Sequence, residues 1–304
     1  MRIDMHSHST ASDGTEPPGT VMRRAHQAGL DVVALTDHDT VAGLPDAAAA
    51  LPAGLTLVPG MELSCLREGT SVHLLAYLFD PADPALTAEC ARIRESRETR
   101  GRRMVEKLIE LGVPVTWEQV RSLAGDAPVG RPHIARAMVA AGTIDDPAQA
   151  FTDAWIAPGG RAHAQRYAPD PPAAIRMVRA AGGVPVLAHP RAGRRGQGMS
   201  DAQIAELAAA GLFGLEVDHP DHGPADREHL RGLAADLRLA VTGSSDDHGE
   251  LSGHRLGRET TAPQVYERLL AEATGARPIT APPHRPAHPP AGPGPSGRDM
   301  PGVH

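Results

Sequence analysis

Cysteine is nearly missing from this chain. Its 304 residues hold two, Cys65 and Cys90, which cannot build the disulfide framework of a small secreted domain, so a cytoplasmic location is the expectation. Aromatic residues make up 3%, leaving little material for the stacking platforms that single-strand binders use. The formal net charge of -7 excludes a broadly basic surface, and with it a stable grip on long nucleic acid. A nucleotide or a short oligonucleotide end stays open as a substrate. Lysine occurs once, at Lys107, among 30 basic residues, which reads as codon bias of a GC-rich genome. No apolar run reaches the ~18 residues of a transmembrane helix. Residues 1–6 turn polar at once and lack the apolar core of a signal peptide.

What is present is an ordinary soluble composition, 41% hydrophobic, in a chain long enough for one barrel-sized domain or two smaller ones. Apolar runs at 2–5, 31–36, 55–63, 72–78, 183–188, 214–217 and 237–242 read as strands. Patterns at 17–29, 171–181, 200–210 and 224–236 read as helices, several framed by Pro at the start and Gly at the end. Strands alternating with helices predict an α/β fold with a mainly parallel sheet. Residues 84–168 break the alternation and read as helices throughout, including 86–111, 117–124 and 131–141. The expected organisation is therefore a discontinuous α/β domain, 1–83 and 169–280, with a helical insert at 84–168 lying over the site. The Arg and Glu crowd at 92–110 reads as a solvated helix face with i,i+4 pairs. Half of the 24 residues from 281 to 304 are Pro or Gly, the composition of a disordered tail, so His284, His288 and His304 carry no ligand role.

Polar, reactive residues gather just after strand ends, the edge that carries active sites in α/β folds. His6 and His8 alternate to the same side of a strand and form a two-imidazole clamp suited to a metal. Asp13, in Ser12-Asp13-Gly14, fits either an oxygen ligand or a turn residue. His38 follows an apolar strand between Asp37 and Asp39, which could orient imidazoles as acceptors. Glu62 interrupts an apolar strand, where a carboxylate must be ion-paired or a ligand. His73 sits in another apolar strand, as a hydrogen-bonded core residue or a ligand. His189-Pro190 ends a further apolar run, and Asp246 and His248 repeat the i,i+2 spacing of His6 and His8.

His6-x-His8, Asp37-His38, Glu62, His73, His189-Pro190 and Gly243-Ser244-Ser245-Asp246-x-His248 together resemble the signature of the polymerase and histidinol phosphatase (PHP) superfamily, in order across residues 1–260. Gly130-Arg131-Pro132-His133 resembles a motif in the helical insert of its bacterial members that act on nucleoside 3′,5′-bisphosphates and short 5′-phosphorylated oligonucleotides. The resemblance implies a distorted (β/α)7 barrel with two or three divalent ions, Mn2+, Fe2+ or Zn2+. It implies one ion held by His6, His8, Glu62 and Asp246. A second falls to Glu62, His73 and His189 with Glu62 bridging, and a third to Asp13, His38 and His248.

The expected chemistry is attack on phosphorus by a metal-bridging hydroxide, with Glu62, Asp246 and His248 as catalytic residues. Arg131 and His133 are the candidate phosphate contacts, since a guanidinium fork matches phosphate. Arg191, His219 and His222 are further candidates for substrate binding. Two other readings remain at this stage: a histidinol-phosphate phosphatase, and a non-catalytic metal-binding module.

Overall fold

Short apolar runs between turns make the strands of the computed structural model, which describes residues 1–125, 129–192 and 198–281. The expected tail, apart from Ala281, lies outside the described residues. β1 (Ile3–Asp4), β2 (Val32–Leu35), β3 (Thr56–Arg67), β4 (Thr70–Tyr77), β5 (Val184–Leu187), β6 (Gly214–Asp218) and β7 (Ala240–Gly243) lie side by side in chain order. A parallel bridge between Ser7 and Asp247 joins the two ends, so the seven strands form a nearly closed, barrel-shaped sheet. β8 (Ile279–Thr280), absent from the sequence reading, pairs with β3.

The seven barrel strands are parallel except at β4, which runs antiparallel to both β3 and β5, and the added β8 is antiparallel to β3. The cause is local. Glu68 and Gly69, with φ of 50° and 81°, close a two-residue hairpin, the geometry whose twist matches paired strands. Because β4 runs backwards, its beginning lies at the edge where its neighbours end.

Helices α1 (Pro18–Gln27), α2 (Leu44–Ala49), α3 (Pro84–Glu110), α4 (Trp117–Ala124), α5 (Arg131–Ala140), α6 (Pro171–Ala180), α7 (Asp201–Ala209), α8 (Pro224–Leu237) and α9 (Pro263–Glu272) follow the expected spans within a few residues, α2 and α9 being additions. Many open with Pro in the first turn, where a missing N–H costs nothing. Strand alternation divides the core. Val33, Leu35 and Leu57 pack with Val21, Met22 and Ala25 of α1, while Val32, Ala34 and Val58 pack with Ile3, Met5 and Tyr77.

α3 is 27 residues long, about 40 Å, and faces two cores. Leu86, Cys90 and Ile93 join the barrel cluster. Met104, Val105 and Leu108 join a separate cluster with Val120, Ile134 and Met138. Residues 152–170 form no regular helix, contrary to the reading of 84–168 as helical throughout. The two Cys side chains are free and buried, and no helix among the described residues is long and apolar enough to cross a membrane.

Asp4 fastens the seam where β1 meets β7. Its fully buried carboxylate accepts from the backbone N–H of His6 (3.3 Å), Ser245 (3.0 Å) and Gly257 (2.7 Å). Asp4→Ala leaves three buried donors unpaired and should lower unfolding free energy by about 1–3 kcal/mol, measured by denaturant titration of the metal-stripped protein. An unchanged midpoint would show that water or rearrangement replaces this carboxylate.

Candidate metal centre

One edge of the barrel collects the polar residues. His6 and His8 follow β1, His38 follows β2, His189 follows β5, and Asp246 and His248 follow β7. Glu62 lies within the long β3, joined to His38 by a parallel bridge. His73 comes from the beginning of the reversed β4, opposite Ser64. Asp39, His189 and Asp246 take positive φ values of 55°, 26° and 49°, a strained backbone that concentrates where geometry serves function. Gly14 is required beside Asp13, because a Cβ there would stand 2.8 Å from the carbonyl of His8.

Glu62 sits in the middle, 1% exposed. Its Oε2 lies 3.2 Å from His6 Nε2, His8 Nε2 and His38 Nδ1. Its Oε1 lies 2.8 Å from His73 Nδ1 and 3.0 Å from His189 Nε2. Asp246 Oδ1 completes one side, 3.3 Å from His6 Nε2 and 3.2 Å from His8 Nε2. Asp13 meets a second set of rings, 3.5 Å from His38 Nε2, 3.6 Å from His8 Nδ1 and 3.3 Å from His248 Nε2.

These donors fit metal ions better than they fit one another. His8 Nδ1, His38 Nδ1, His73 Nδ1 and Asp246 Oδ1 are buried without a hydrogen-bond partner, although a carboxylate oxygen stands within 3.6 Å of each of those nitrogens. Such an orphaned buried group is costly unless something else binds it. Around His6, His8, Glu62 and Asp246 the donor separations are 3.0–3.3 Å. Donors about 2.0–2.1 Å from a tetrahedral ion stand about 3.3–3.4 Å apart. Among the described residues, three groups have donors close enough to share an ion: His6, His8, Glu62 and Asp246; His8, Asp13, His38 and His248; and His38, Glu62 and His73.

Charge tells the same story. Burial opposes every ion here, yet neighbouring histidines hold the Glu62 and Asp246 carboxyls well below their usual range. Burial likewise lowers His6 and His8, but Asp246 and Glu62 more than reverse it, raising His6 well up and His8 to about 10. Burial pushes His38 down to about 3 against the pull of Glu62 and Asp13, leaving it a neutral imidazole. The buried carboxylate charge that raises His6 and His8 is charge that divalent cations can balance.

Comparison with known proteins agrees. The PHP domain model matches residues 4–94. The chain is 34% identical over 259 residues to the 5′-3′ exoribonuclease of Haemophilus influenzae, covering 84% of this chain and 93% of that protein. It is 33% identical over 274 residues to the 3′,5′-nucleoside bisphosphate phosphatase of Chromobacterium violaceum, covering 89% and 95%. The chain belongs to the PHP family. A crystal structure of a metal-dependent phosphoesterase from Bifidobacterium adolescentis shares its fold at a TM-score of 0.80 and 37% identity, over 90% of this chain and 96% of that one. The PHP chain is a metal-dependent phosphoesterase.

Several residues that shape this PHP centre escaped the sequence reading. Glu216, fully buried in β6, accepts from His6 Nδ1 at 3.0 Å, from the His189 N–H at 2.7 Å and from Ser244 Oγ. Bonding Nδ1 turns His6 Nε2 toward Glu62, the orienting role that metal-bound histidine requires. Its signal, a carboxylate in an apolar strand, is the one that singled out Glu62. Arg255 brings its Nη2 within 3.4 Å of Asp246 Oδ2. Asp37 and Asp39, expected to orient imidazoles, do not. Asp37 accepts from Ser9 and Ser12, and Asp39 from Ser64 and Arg97. Both brace the loops around His38 instead.

The expected substrate residues divide. His133 Nδ1 accepts from the Gly130 N–H at 2.9 Å, which leaves its Nε2–H free to donate, and Arg131 lies over the Phe151 ring. His222 has both nitrogens occupied, Nδ1 by Val217 O (2.9 Å) and Nε2 by the Arg191 N–H (3.2 Å). His219 accepts the Asp221 N–H on Nδ1 and offers Nε2 to Asp246 Oδ2 at 3.3 Å. Arg191 is drawn to Asp201 at 2.9 Å.

Stripped of metal, the protein should gain stability on adding Mn2+ or Zn2+, by about 2.7 kcal/mol at a hundredfold excess over Kd. The check is a melting curve with and without chelator. An unchanged curve would mean these donors do not hold an ion.

Proposed function

We propose that this PHP phosphoesterase hydrolyses phosphate esters of nucleotides, either 3′,5′-bisphosphates or short 5′-phosphorylated oligonucleotides taken in the 5′-to-3′ direction. The observation that carries this reading is the joint presence of the Glu62-centred donor cluster and the Arg131-Pro132-His133 helix start on the insert. The named activities of the Haemophilus and Chromobacterium relatives support it.

Two or three divalent ions, Mn2+, Fe2+ or Zn2+, would be held by His6, His8, Asp13, His38, Glu62, His73, His189, Asp246 and His248. Glu62 can serve two ions, since Oε2 faces His6, His8 and His38 while Oε1 faces His73 and His189. Bound ions supply the Lewis-acid charge that draws in a phosphoryl oxygen and makes water nucleophilic at neutral pH. The chain's own groups do the rest. Glu216 holds His6, and His219 with Arg255 holds the outer oxygen of Asp246, so that Oδ1 faces the centre. His248 Nδ1 bonds Asp246 O at 3.1 Å, turning its Nε2 toward Asp13. Arg131 and the free Nε2–H of His133 contact substrate phosphate. With both nitrogens engaged, His222 supports the loop rather than the substrate.

Residues 84–168 form the substrate-side cover of the barrel domain, 1–83 and 169–280. Arg94 donates to Asp39 O, and Arg97 pairs with Asp39 Oδ2 at 2.9 Å, next to His38. A cytoplasmic location fits the two free, buried cysteines.

The direct test is a metal-reconstituted assay on adenosine 3′,5′-bisphosphate, a 5′-phosphorylated dinucleotide, long RNA and histidinol phosphate. Turnover of the first two is expected; turnover of histidinol phosphate alone would overturn the nucleotide reading. His38→Ala should lower bound metal and turnover together, by tenfold or more. Full activity at unchanged metal content would remove His38 from the ligand set.

A further inference from the structure

The donors of the centre differ in what holds them. Glu62 and His73 lie inside hydrogen-bonded strands, and His6 and His8 stand at the seam where the sheet closes. Asp13 and His248 come instead from loops, residues 9–16 after β1 and 247–255 after β7. Asp13 is also the most exposed of the expected ligands, with 46% of its side chain open. The position of these two donors must therefore come from contacts outside the strand ladder.

Each loop is wound round a buried aspartate that is not itself an expected ligand. Asp37 accepts from the Ser9 N–H at 2.8 Å, Ser9 Oγ at 2.7 Å and Ser12 Oγ at 2.6 Å. Ser12 Oγ in turn lies 3.4 Å from Asp13 Oδ1. Asp247 accepts from the N–H groups of Gly249 (3.1 Å) and Arg255 (2.6 Å) and from Ser252 Oγ (2.8 Å). Ser252 Oγ accepts the His248 N–H at 2.8 Å.

Thr15 ties the two loops together. Its N–H and its hydroxyl both donate to His248 O, each at 3.2 Å. The same hydroxyl accepts the Glu250 N–H at 2.9 Å. Glycine follows His248 because a Cβ on Gly249 would collide with Thr15 Oγ1, and φ there is 69°. Thr15 is exposed, so its hydroxyl fills no core. What it fixes is the spacing of the loops, with His248 Nε2 standing 3.3 Å from Asp13 Oδ1.

We propose that Thr15, together with Asp37, is a positioning residue for the ion of Asp13, His38 and His248, and sets its occupancy separately from the ions held on the strands. Loops open more easily than core strands, so donors carried on them depend on such ties. Groups that orient metal ligands from behind are typically worth about 10–100-fold in metal affinity. A hydroxyl between two loops thus decides whether the centre holds its third ion. The inference rests on the ion assignment proposed above and adds what controls one member of the set.

Calorimetric titration of the metal-stripped chain with Mn2+ tests it. Thr15→Val keeps the shape of the side chain and removes its hydroxyl. In that variant one ion of the wild-type complement should bind tenfold or more weakly, while the others keep their affinity. Thr15→Ser should restore that ion, and Asp37→Asn should reproduce the Thr15→Val pattern. Asp13→Asn should weaken the same ion, and Asp13→Asn/Thr15→Val should bind no worse than Asp13→Asn alone, because a residue that acts through another is not additive with it. Unchanged binding of every ion in Thr15→Val, or equal weakening of all of them, would overturn the proposal and leave the metal centre standing. Wild type that takes up no Mn2+ would sink the centre itself, and this inference with it.

Discussion

Glu62 is a carboxylate held inside a sheet with five imidazoles facing its two oxygens at 2.8–3.2 Å. A buried charge of this kind is tolerated only where partners surround it. The barrel is shaped to bring those partners in. His6, His8, His38 and His189 arrive from the ends of parallel strands, and His73 arrives from the start of the one reversed strand. Without the Glu68-Gly69 hairpin, the beginning of β4 would lie at the opposite edge, and His73 with it. The closing bridge between Ser7 and Asp247 does the same for Asp246, carrying the last strand round to the first. Fold and site are thus one problem, because the sheet must nearly close for the carboxylate to be shared.

Around these donors stands a frame of fixed polarity. Glu216 orients His6, while His219 and Arg255 hold the outer oxygen of Asp246. Asp4 fastens the seam beneath them. Each acts by fixing which atom faces inward, so that donors are in place before an ion arrives, and preorganisation of this sort tightens metal sites and speeds the chemistry they support. α3 adds charge of the other sign. α3 packs its first half on the barrel and its second half on a core of its own, which suspends a row of arginines beside a site rich in carboxylates.

Much of this was legible in the sequence because the chemistry breaks local rules. His and carboxylate residues at the ends of apolar strands conflict with burial, and such conflicts mark function. The convergence of His6, His8, His38, Glu62, His73, Asp246 and His248 follows from that pattern, and the seven strands and the helices at 84–110, 117–124 and 131–140 fall where apolar periodicity put them. What escaped was of two kinds. The reversal of β4 depends on two residues with positive φ, a signal too short to weigh against seven alternating elements. Roles that depend on partners distant in sequence were also hidden. Asp37 looked like an imidazole acceptor yet serves Ser9 and Ser12, whereas Glu216 serves His6, 210 residues away. The arginines of α3 looked like a solvated helix face, and for Arg102 and Glu98 that is what they are. Arg97 turns toward the barrel instead, to Ser64 and Asp39, and Arg100 donates to the carbonyl of Ala164.

The most direct test of the shared carboxylate is metal stoichiometry in Glu62→Gln against wild type. The amide keeps the volume but loses the charge and one acceptor oxygen. Elemental analysis of dialysed, folded protein should find two or three ions per chain in wild type and at least one fewer in the variant. Equal stoichiometry in the two proteins would contradict the account, because the centre would then assemble without the residue placed at its middle.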